Sequence, residues 1–294
     1  MKLLLTGKNG QVGFALQRTL AILGNVTAIG AVDCDLSDEA AIRRVVRGIR
    51  PDVIVNTAAY TAVDKAEREP ALAYAINARA PEVFAEEAQA LGALLVHYST
   101  DYVFDGSKVG SYLETDTPSP ISVYGSSKLA GECAIRSKCS RYLILRTSWV
   151  VGAHGSNFAK TMLRLAEERA TLEVVSDQFG APTSAGLLAD LTAHLVLQAQ
   201  HNPSRFPYGL YHATAAGETN WYNYACHVIE YARLAGRPIR VAAESIKPIT
   251  SADYVAQARR PANSRLDTSL LIKTFGLHMP DWKVGVEHIL HQIV

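Results

Sequence analysis

The chain predicts an α/β fold built on a doubly wound parallel sheet, and three observations carry that expectation. The apolar run Leu3-Leu4-Leu5 feeds the loop Gly7-Lys8-Asn9-Gly10-Gln11-Val12-Gly13, after which Phe14, Leu16, Leu20 and Leu23 recur at helical spacing. Apolar runs and helical patterns then alternate through the first half, the order that crossover helices on a parallel sheet produce. Finally, the polar motifs fall just after apolar runs or at the start of the next helix. In such sheets that edge, at the carboxyl ends of the strands, is where ligands bind.

Taken in order, Val26-Thr27-Ala28-Ile29 reads as a second strand. Ser37 or Asp38 starts a helix through Ile42, Val45, Val46 and Ile49, and Pro51 stops it. Asp52-Val53-Ile54-Val55-Asn56 is a buried strand. A long helical region spans about residues 71–90, with Pro81 expected to break or kink it. The strand Leu94-Leu95-Val96-His97-Tyr98 runs on to Thr100, followed by a Gly/Ser/Pro-rich stretch from Asp105 to Ser122. A helix over 124–137 and the strand Tyr142–Leu145 complete the first half. Beyond Trp149 the pattern loosens. Helices are expected over 157–169, 187–197 and 221–234, a loop over 177–184, a short strand over 208–213, and short helices over 269–275 and 284–293.

Bulk properties exclude more than they assign. The 294 residues are 48% hydrophobic, ample for a sizeable core. Lys plus Arg number 29 against 28 Asp plus Glu, leaving +1, so charge offers no case for nucleic acid or a membrane surface. Cys34, Cys133, Cys139 and Cys226 have neither a C-x-x-C spacing nor a histidine pairing that would suit a metal. Without a leader pattern or an apolar run of about 18 residues, the chain reads as soluble and cytoplasmic.

The glycine loop sits in the strand–turn–helix context of a dinucleotide-binding fingerprint. Glycines permit the tight turn and close approach to a pyrophosphate, and the helix N-terminus supplies free N–H groups and a positive dipole. A second motif is Tyr124-Gly125-Ser126-Ser127-Lys128, in which Tyr124 and Lys128 lie one helical turn apart on one face. An ammonium beside a phenol favours phenolate, so Lys128 is expected to lower the Tyr124 pKa. The pairing is common by chance on helices; the glycine loop on the same edge gives it weight.

These motifs resemble the extended short-chain dehydrogenase/reductase family, within it most closely the branch that reduces nucleotide-linked 4-ketosugars. The resemblance extends over Arg50–Asn56, Tyr60–Glu67, His97–Phe104, Arg146–Val150, Asn157–Met162, Asp177–Thr183 and Arg260–Leu266, nearly the whole chain. It implies a Rossmann domain over residues 1–148 plus about 184–212. A smaller interleaved α/β substrate domain then takes about 149–183 and 213–294. It also implies NAD(P)H reduction of the 4-keto group of dTDP-4-dehydro-6-deoxy-L-mannose to dTDP-L-rhamnose, a precursor of surface polysaccharide such as lipopolysaccharide. A reductase of another dTDP-4-ketosugar, an epimerase, and a non-catalytic NADP-binding regulatory subunit are the other readings.

By the same resemblance Tyr124 is the proton donor and Lys128 holds the nicotinamide ribose. Thr100 replaces the family's usual serine at the carbonyl oxygen, and Asp101 bonds substrate hydroxyls. Related dehydratases carry Thr-Asp-Glu where this chain has Thr100-Asp101-Tyr102, which favours a reductase. The cofactor is assigned to Gly7, Gly10, Gln11, Val12 and Gly13 at the pyrophosphate, to Asp35 and Leu36 at the adenine, and to Ala59, Tyr60, Thr61 and Tyr98 along its length. Gly30 stands where an acidic residue would bind the ribose hydroxyls, and no arginine immediately follows it, so dual use with NADPH preferred is expected. Trp149 is expected to stack on sugar or base, with a core role as the alternative. Asn157, Phe158, Lys160 and Arg260 are assigned to the nucleotide end, while Arg259 and Arg265 suit ion pairs as well. Some members bind magnesium at a dimer interface through glutamates where this chain has Ala15, Gly186 and Gln292. Two of these offer no side-chain oxygen, so no metal and a monomer or metal-free dimer are expected.

Overall fold

A computed structural model describes residues 1–254 and 257–294. The chain opens with Lys2–Thr6 (β1), Gln11–Leu20 (α1), Asn25–Ile29 (β2), Glu39–Ile49 (α2) and Val53–Asn56 (β3). Two short helices, Val63–Ala66 (α3) and Pro70–Tyr74 (α4), lead through a π-helical turn at Ala75–Arg79 into Ala80–Leu91 (α5). Leu94–Thr100 (β4), Val123–Lys138 (α6) and Tyr142–Thr147 (β5) follow. Next come Val150–Val151 (β6), Phe158–Glu168 (α7), Leu172–Val175 (β7), Phe179–Gly180 (β8), Thr183–Ser184 (β9) and Ala185–His201 (α8). The chain ends with Gly209–His212 (β10), Thr219–Asn220 (β11), Trp221–Leu234 (α9), Ile246–Ile249 (β12), Ser269–Phe275 (α10) and Trp282–Ile293 (α11).

Six strands form one sheet in the order β10-β5-β4-β3-β1-β2, and every pair in it is parallel. The strand side chains alternate between two helical layers, as the period of two requires. Leu3, Leu5, Val53, Val55, Leu94, Val96, Leu143 and Leu145 meet Leu16 and Leu20 of α1 and the apolar stripe of α8. Leu4, Ile54, Leu95 and Ile144 meet α2, α5 and Ile135 of α6. Burial on both faces explains why these strands read as unbroken apolar runs. The strand order turns at β1, which has β2 on one side and β3 on the other. A crevice therefore opens at their carboxyl ends, the switch point of the sheet.

A third core joins α7, α9 and α11 with β7 and β12. Its β-structure is fragmentary: β7 pairs parallel with β12, β6 with β9, and β8 antiparallel with β11.

Several elements depart from the expected ones. The long helix is interrupted ahead of Pro81, at Ala75–Arg79, and Pro81 lies in the first turn of α5. Proline has no N–H to give the carbonyl four residues back, which belongs to Asn77. That carbonyl instead lies against Gly131 of α6, at a site any side chain would fill. Phe14 faces outward, 52% exposed, and stacks on His154 at 4.1 Å. The expected loop over 177–184 contains β8 and β9, and the β7–β12 pair was not anticipated.

Candidate active site

The glycine loop begins where β1 ends. Gly7 adopts φ +74°, and a Cβ there would meet Thr57 Oγ1 at 2.8 Å and the Ala58 nitrogen at 2.9 Å. A Cβ at Gly13 would run into the Gly7 carbonyl. Only glycine fits either position, and the backbone is thereby brought to the start of α1, whose first N–H groups are free to meet an anion. The loop forms one wall of a cleft of about 520 Å³, whose lining includes Gly10, Gln11, Val12, Thr61, Tyr124 and Lys128. A smaller recess of about 170 Å³ continues beside Gly30, with Asp35, Leu36 and Ala59 in its wall. A cradle that a Cβ would fill, continuous with a recess at the switch point, fits a dinucleotide.

α6 delivers the second motif. Ser122 caps it, accepting from the Gly125 nitrogen at 3.2 Å, and Gly125 lets the helix press against the Tyr102 carbonyl. Tyr124 and Lys128 thereby face the end of β4. The Tyr102 ring meets that of Tyr124 edge to face at 5.4 Å. Burial drives the Tyr124 phenol up to about 12, with the Thr100 hydroxyl pulling down and the Asp101 charge pushing up. The expected lowering by Lys128 is therefore not found. The Lys128 ammonium points elsewhere, donating to the Tyr98 carbonyl at 2.5 Å and lying 3.2 Å from His97 Nε2. Burial lowers Lys128 to about 8, partly opposed by Glu132.

A buried polar chain continues behind Lys128. His97 Nδ1 lies 3.0 Å from Asn56 Nδ2, Thr6 Oγ1 donates to Asn56 Oδ1 at 2.6 Å, and the Ala58 nitrogen donates to Thr6 Oγ1 at 3.2 Å. Burial, then the Lys128 charge, holds His97 well below the usual histidine range, so it is neutral. Lys128 is thus tied through His97 to the floor of the glycine loop. Sequence reasoning missed His97; the signal available was a histidine directly after the apolar run Leu94–Val96, within a strand buried throughout.

Thr100 Oγ1 donates to Asp101 Oδ1 at 3.0 Å and accepts from the Tyr102 nitrogen at 3.2 Å. Asp101 is 2% exposed, and burial raises its carboxyl to about 6, with the Ser264 and Thr100 hydroxyls pulling the other way. Its Oδ2 has no partner among the described residues. An unpaired buried acceptor is costly to maintain and is open to a hydroxyl donor.

The other expected site residues divide. Tyr98 reaches the cleft, yet its phenol turns into the core, 2.6 Å from Thr192 Oγ1 and 3.1 Å from the Leu188 carbonyl. Tyr60 donates to Glu69 at 2.7 Å, and Asn77, another residue missed, holds both its N–H and its C=O. Asp35 Oδ1 accepts from the Ser37 nitrogen at 2.8 Å and the Ser37 hydroxyl at 2.7 Å. Asn157 is fully committed: its Nδ2 donates to Gln11 Oε1 at 2.9 Å and to the Gly152 carbonyl at 2.8 Å, and its Oδ1 caps α7 at the Lys160 nitrogen. It fastens the glycine loop to the second half of the chain, with both of its Nδ2 hydrogens in use. Lys160 is likewise bound to the Ala153 and Gly155 carbonyls.

Trp149, at φ +48°, stacks on Trp221 with centroids 3.7 Å apart. Its indole edge is so close to Gly180 that a Cβ there would lie 2.8 Å away. Arg260 pairs with Asp64 at 2.9 Å and lines a separate cleft of about 520 Å³ with Gln178, Ser251 and Arg259. Arg265 pairs with Glu218 at 3.0 Å. Among the described residues, no three His, Cys, Asp or Glu side chains gather as metal ligands, and no helix is long and apolar enough to cross a membrane.

The parallel sheet, the glycine cradle and the Tyr124–Lys128 pair at one edge define a dinucleotide-binding protein of the dehydrogenase/reductase type. Comparison with known proteins is more specific. The profile of the RmlD substrate binding domain matches residues 1–294, and the chain belongs to that family. The dTDP-4-dehydrorhamnose reductase of Escherichia coli K12 is 51% identical, over 100% of this chain and 98% of the relative. A crystal structure of a dTDP-4-dehydrorhamnose reductase from Clostridium acetobutylicum superposes with a TM-score of 0.89 at 36% identity, covering 100% and 99% of the two chains. The Bacillus anthracis dTDP-4-dehydrorhamnose reductase, solved in complex with NADP, gives 0.88 at 36% identity, with 99% of each chain covered.

Proposed function

We propose that this protein reduces the 4-keto group of dTDP-4-dehydro-6-deoxy-L-mannose with NAD(P)H, giving dTDP-L-rhamnose. The observation that carries the reading is the meeting of Tyr124, Lys128 and the glycine loop in one cleft, in a chain related end to end to dTDP-4-dehydrorhamnose reductases. Residues 1–148 and about 184–212 bind the cofactor in this reading; about 149–183 and 213–294 hold the nucleotide sugar.

Gly7, Gly10, Gln11, Val12 and Gly13 hold the pyrophosphate, Asp35, Leu36 and Ala59 the adenine end, and Thr61, Tyr98 and Lys128 the nicotinamide end. A reduced nicotinamide bound there would supply the hydride that C4 of the sugar takes up. As negative charge develops on the carbonyl oxygen, Tyr124 transfers its phenolic proton to it, yielding the alcohol and a phenolate that is reprotonated from solvent. Burial raises the phenol, so Tyr124 carries its proton through the neutral range and has it to give. Thr100 donates to the same oxygen once its hydroxyl turns from Asp101, and the unpaired Asp101 Oδ2 accepts from a sugar hydroxyl. Lys128, anchored by the Tyr98 carbonyl and His97, holds the nicotinamide ribose in this reading. Tyr102 occupies the place of the glutamate used for dehydration, so reduction needs no further acid here. Trp149 with Trp221 forms an aromatic wall for the sugar or base, and Arg260 faces the nucleotide diphosphate. Ala15 and Gly186 offer no side-chain oxygen for magnesium, in keeping with a monomer or a metal-free dimer.

The test is to mix the purified protein with NADPH and the ketosugar, follow loss of reduced cofactor, and identify the product by NMR. Oxidation of one cofactor per sugar with dTDP-L-rhamnose as product is expected. No oxidation, or a product with the opposite C4 configuration, would overturn the reading.

A further inference from the structure

The adenosine end of the cleft carries a feature the strand-end position did not reveal. Gly30 closes β2 without a carboxylate, but the chain turns back immediately. The Asp33 nitrogen donates to the Gly30 carbonyl at 3.0 Å, and the Gly30 nitrogen donates to Asp33 Oδ2 at 2.8 Å. A carboxylate is thereby returned to the strand end from three residues downstream. The same Oδ2 forms an ion pair of 2.6 Å with Lys8 Nζ from the glycine loop. Asp33 Oδ1 has no hydrogen-bond partner among the described residues, and both side chains remain partly open to solvent, at 32% for Lys8 and 41% for Asp33.

The position of the pair matters as much as its charge. Gly30 and Ala31 line both the main cleft and the adenine recess. Lys8 and Asn9 lie over this junction: a Cβ on Gly30 would be 3.2 Å from Asn9 Nδ2 and 3.5 Å from Lys8 Cε. Lys8 is itself held in place, its nitrogen donating to the Ile29 carbonyl at 3.1 Å and its carbonyl accepting from Gln17 at 2.9 Å. An adenosine in the recess with its pyrophosphate on the glycine loop must present its ribose at this junction.

We infer that Lys8 and Asp33 together read the 2′ position of the cofactor's adenosine. Lys8 meets a 2′-phosphate, the free Oδ1 of Asp33 accepts from a 2′-hydroxyl, and the ion pair between them sets the balance. A 2′-phosphate must draw Lys8 away from Asp33 and tolerate the nearby carboxylate. A 2′-hydroxyl leaves the pair intact. The arrangement accommodates both cofactors and makes the preference adjustable by either residue alone. It rests on the cofactor reading above, and names the residues that set the choice.

Calorimetric binding of NADP⁺ and NAD⁺ to the unaltered protein, Lys8→Met and Asp33→Asn tests it. Methionine keeps the stem of Lys8, and asparagine keeps an acceptor for the Gly30 N–H. Lys8→Met should weaken NADP⁺ by about tenfold, the loss of one charge-assisted contact, and leave NAD⁺ within about twofold. Asp33→Asn should act oppositely, tightening NADP⁺ and weakening NAD⁺ by about threefold each. Rising ionic strength should erode NADP⁺ binding in the unaltered protein more than in Lys8→Met. Equal losses for both cofactors in Lys8→Met, or no divergence in Asp33→Asn, would overturn the inference while leaving the cofactor reading intact. Failure of the unaltered protein to bind either cofactor would overturn that reading itself.

Discussion

In the sheet half, the central strands bury every side chain of Val53–Asn56 and Leu94–Thr100, and the helices only have to cover them. The other half has β pairs of two to four residues and relies on large rings. Trp149 stacks on Trp221, Phe158 lies 4.6 Å from Trp221 and 5.3 Å from Tyr224, and Tyr224 meets Trp282 at 5.8 Å. Even the ion pairs differ. Glu132 and Arg146 are joined by two bonds of 2.6 and 2.8 Å at 1% and 2% exposure, whereas Arg237 and Glu167 are each about 30% exposed. A rigid parallel sheet fixes the reacting groups to one edge. The aromatic half, with less regular backbone, offers surfaces that shape a substrate.

That contrast can be broken most severely at the buried ion pair. Glu132→Ala leaves the Arg146 guanidinium uncompensated inside the sheet half and should destabilise the protein by about 3–5 kcal/mol. Glu167→Ala should cost no more than about 1 kcal/mol. Urea unfolding of the two variants checks this, and equal losses would erase the distinction.

The reacting edge itself should be a destabilised part of the stable half. The Asp101 carboxyl is raised from 3.8 to about 6, chiefly by burial. A raised carboxyl contributes stability that is fully present below the unfolded value and lost as pH rises through the folded one, so above about 6 the buried carboxylate is a standing cost. Asp101→Asn should therefore stabilise the protein by about 3 kcal/mol at pH 8, and by progressively less as pH falls toward 4. Thermal unfolding against pH would show two converging curves; parallel curves would refute the burial argument.

Where the halves join, Asn157 should behave as a fastening. Asn157→Ala removes the bonds to Gln11 and Gly152, and should weaken NADP⁺ by about three- to tenfold, leaving the sugar-nucleotide KM nearly unchanged. An effect confined to the sugar nucleotide would return Asn157 to the substrate site. The smallest effect is expected from Trp221→Phe, which keeps a ring against Trp149 but a smaller one. A rise of about threefold in sugar-nucleotide KM, with kcat unchanged, would locate the aromatic wall at the substrate.

The two halves were unequally legible in the sequence for the same physical reason. Strands buried on both faces are runs such as Val53-Ile54-Val55, and a glycine loop between such a run and a helix has few alternative conformations. β7 and β12 pair across more than seventy residues as four-residue segments, one of them interrupted by Pro248, and nothing local distinguishes them from loop. Within the site, Tyr124 and Lys128 could be paired from helical spacing, but not the direction of the ammonium, which His97 and the Tyr98 carbonyl determine from another strand. The bonds of Asn157 to Gln11 and Gly152 were not legible, because only the tertiary fold brings those partners to it. Asp33 was overlooked because its carboxylate reaches the strand end through a turn.

The central claim is that the proton for the ketone comes from Tyr124, at the edge of the sheet. The most direct measurement is the single-turnover rate of NADPH oxidation by Tyr124→Phe with the 4-ketosugar, beside its affinity for NADPH. The hydroxyl is all that is removed, so the rate should fall by about 10²–10⁴-fold with cofactor affinity held within about twofold. A rate within tenfold of the unaltered protein would show that the proton comes from elsewhere.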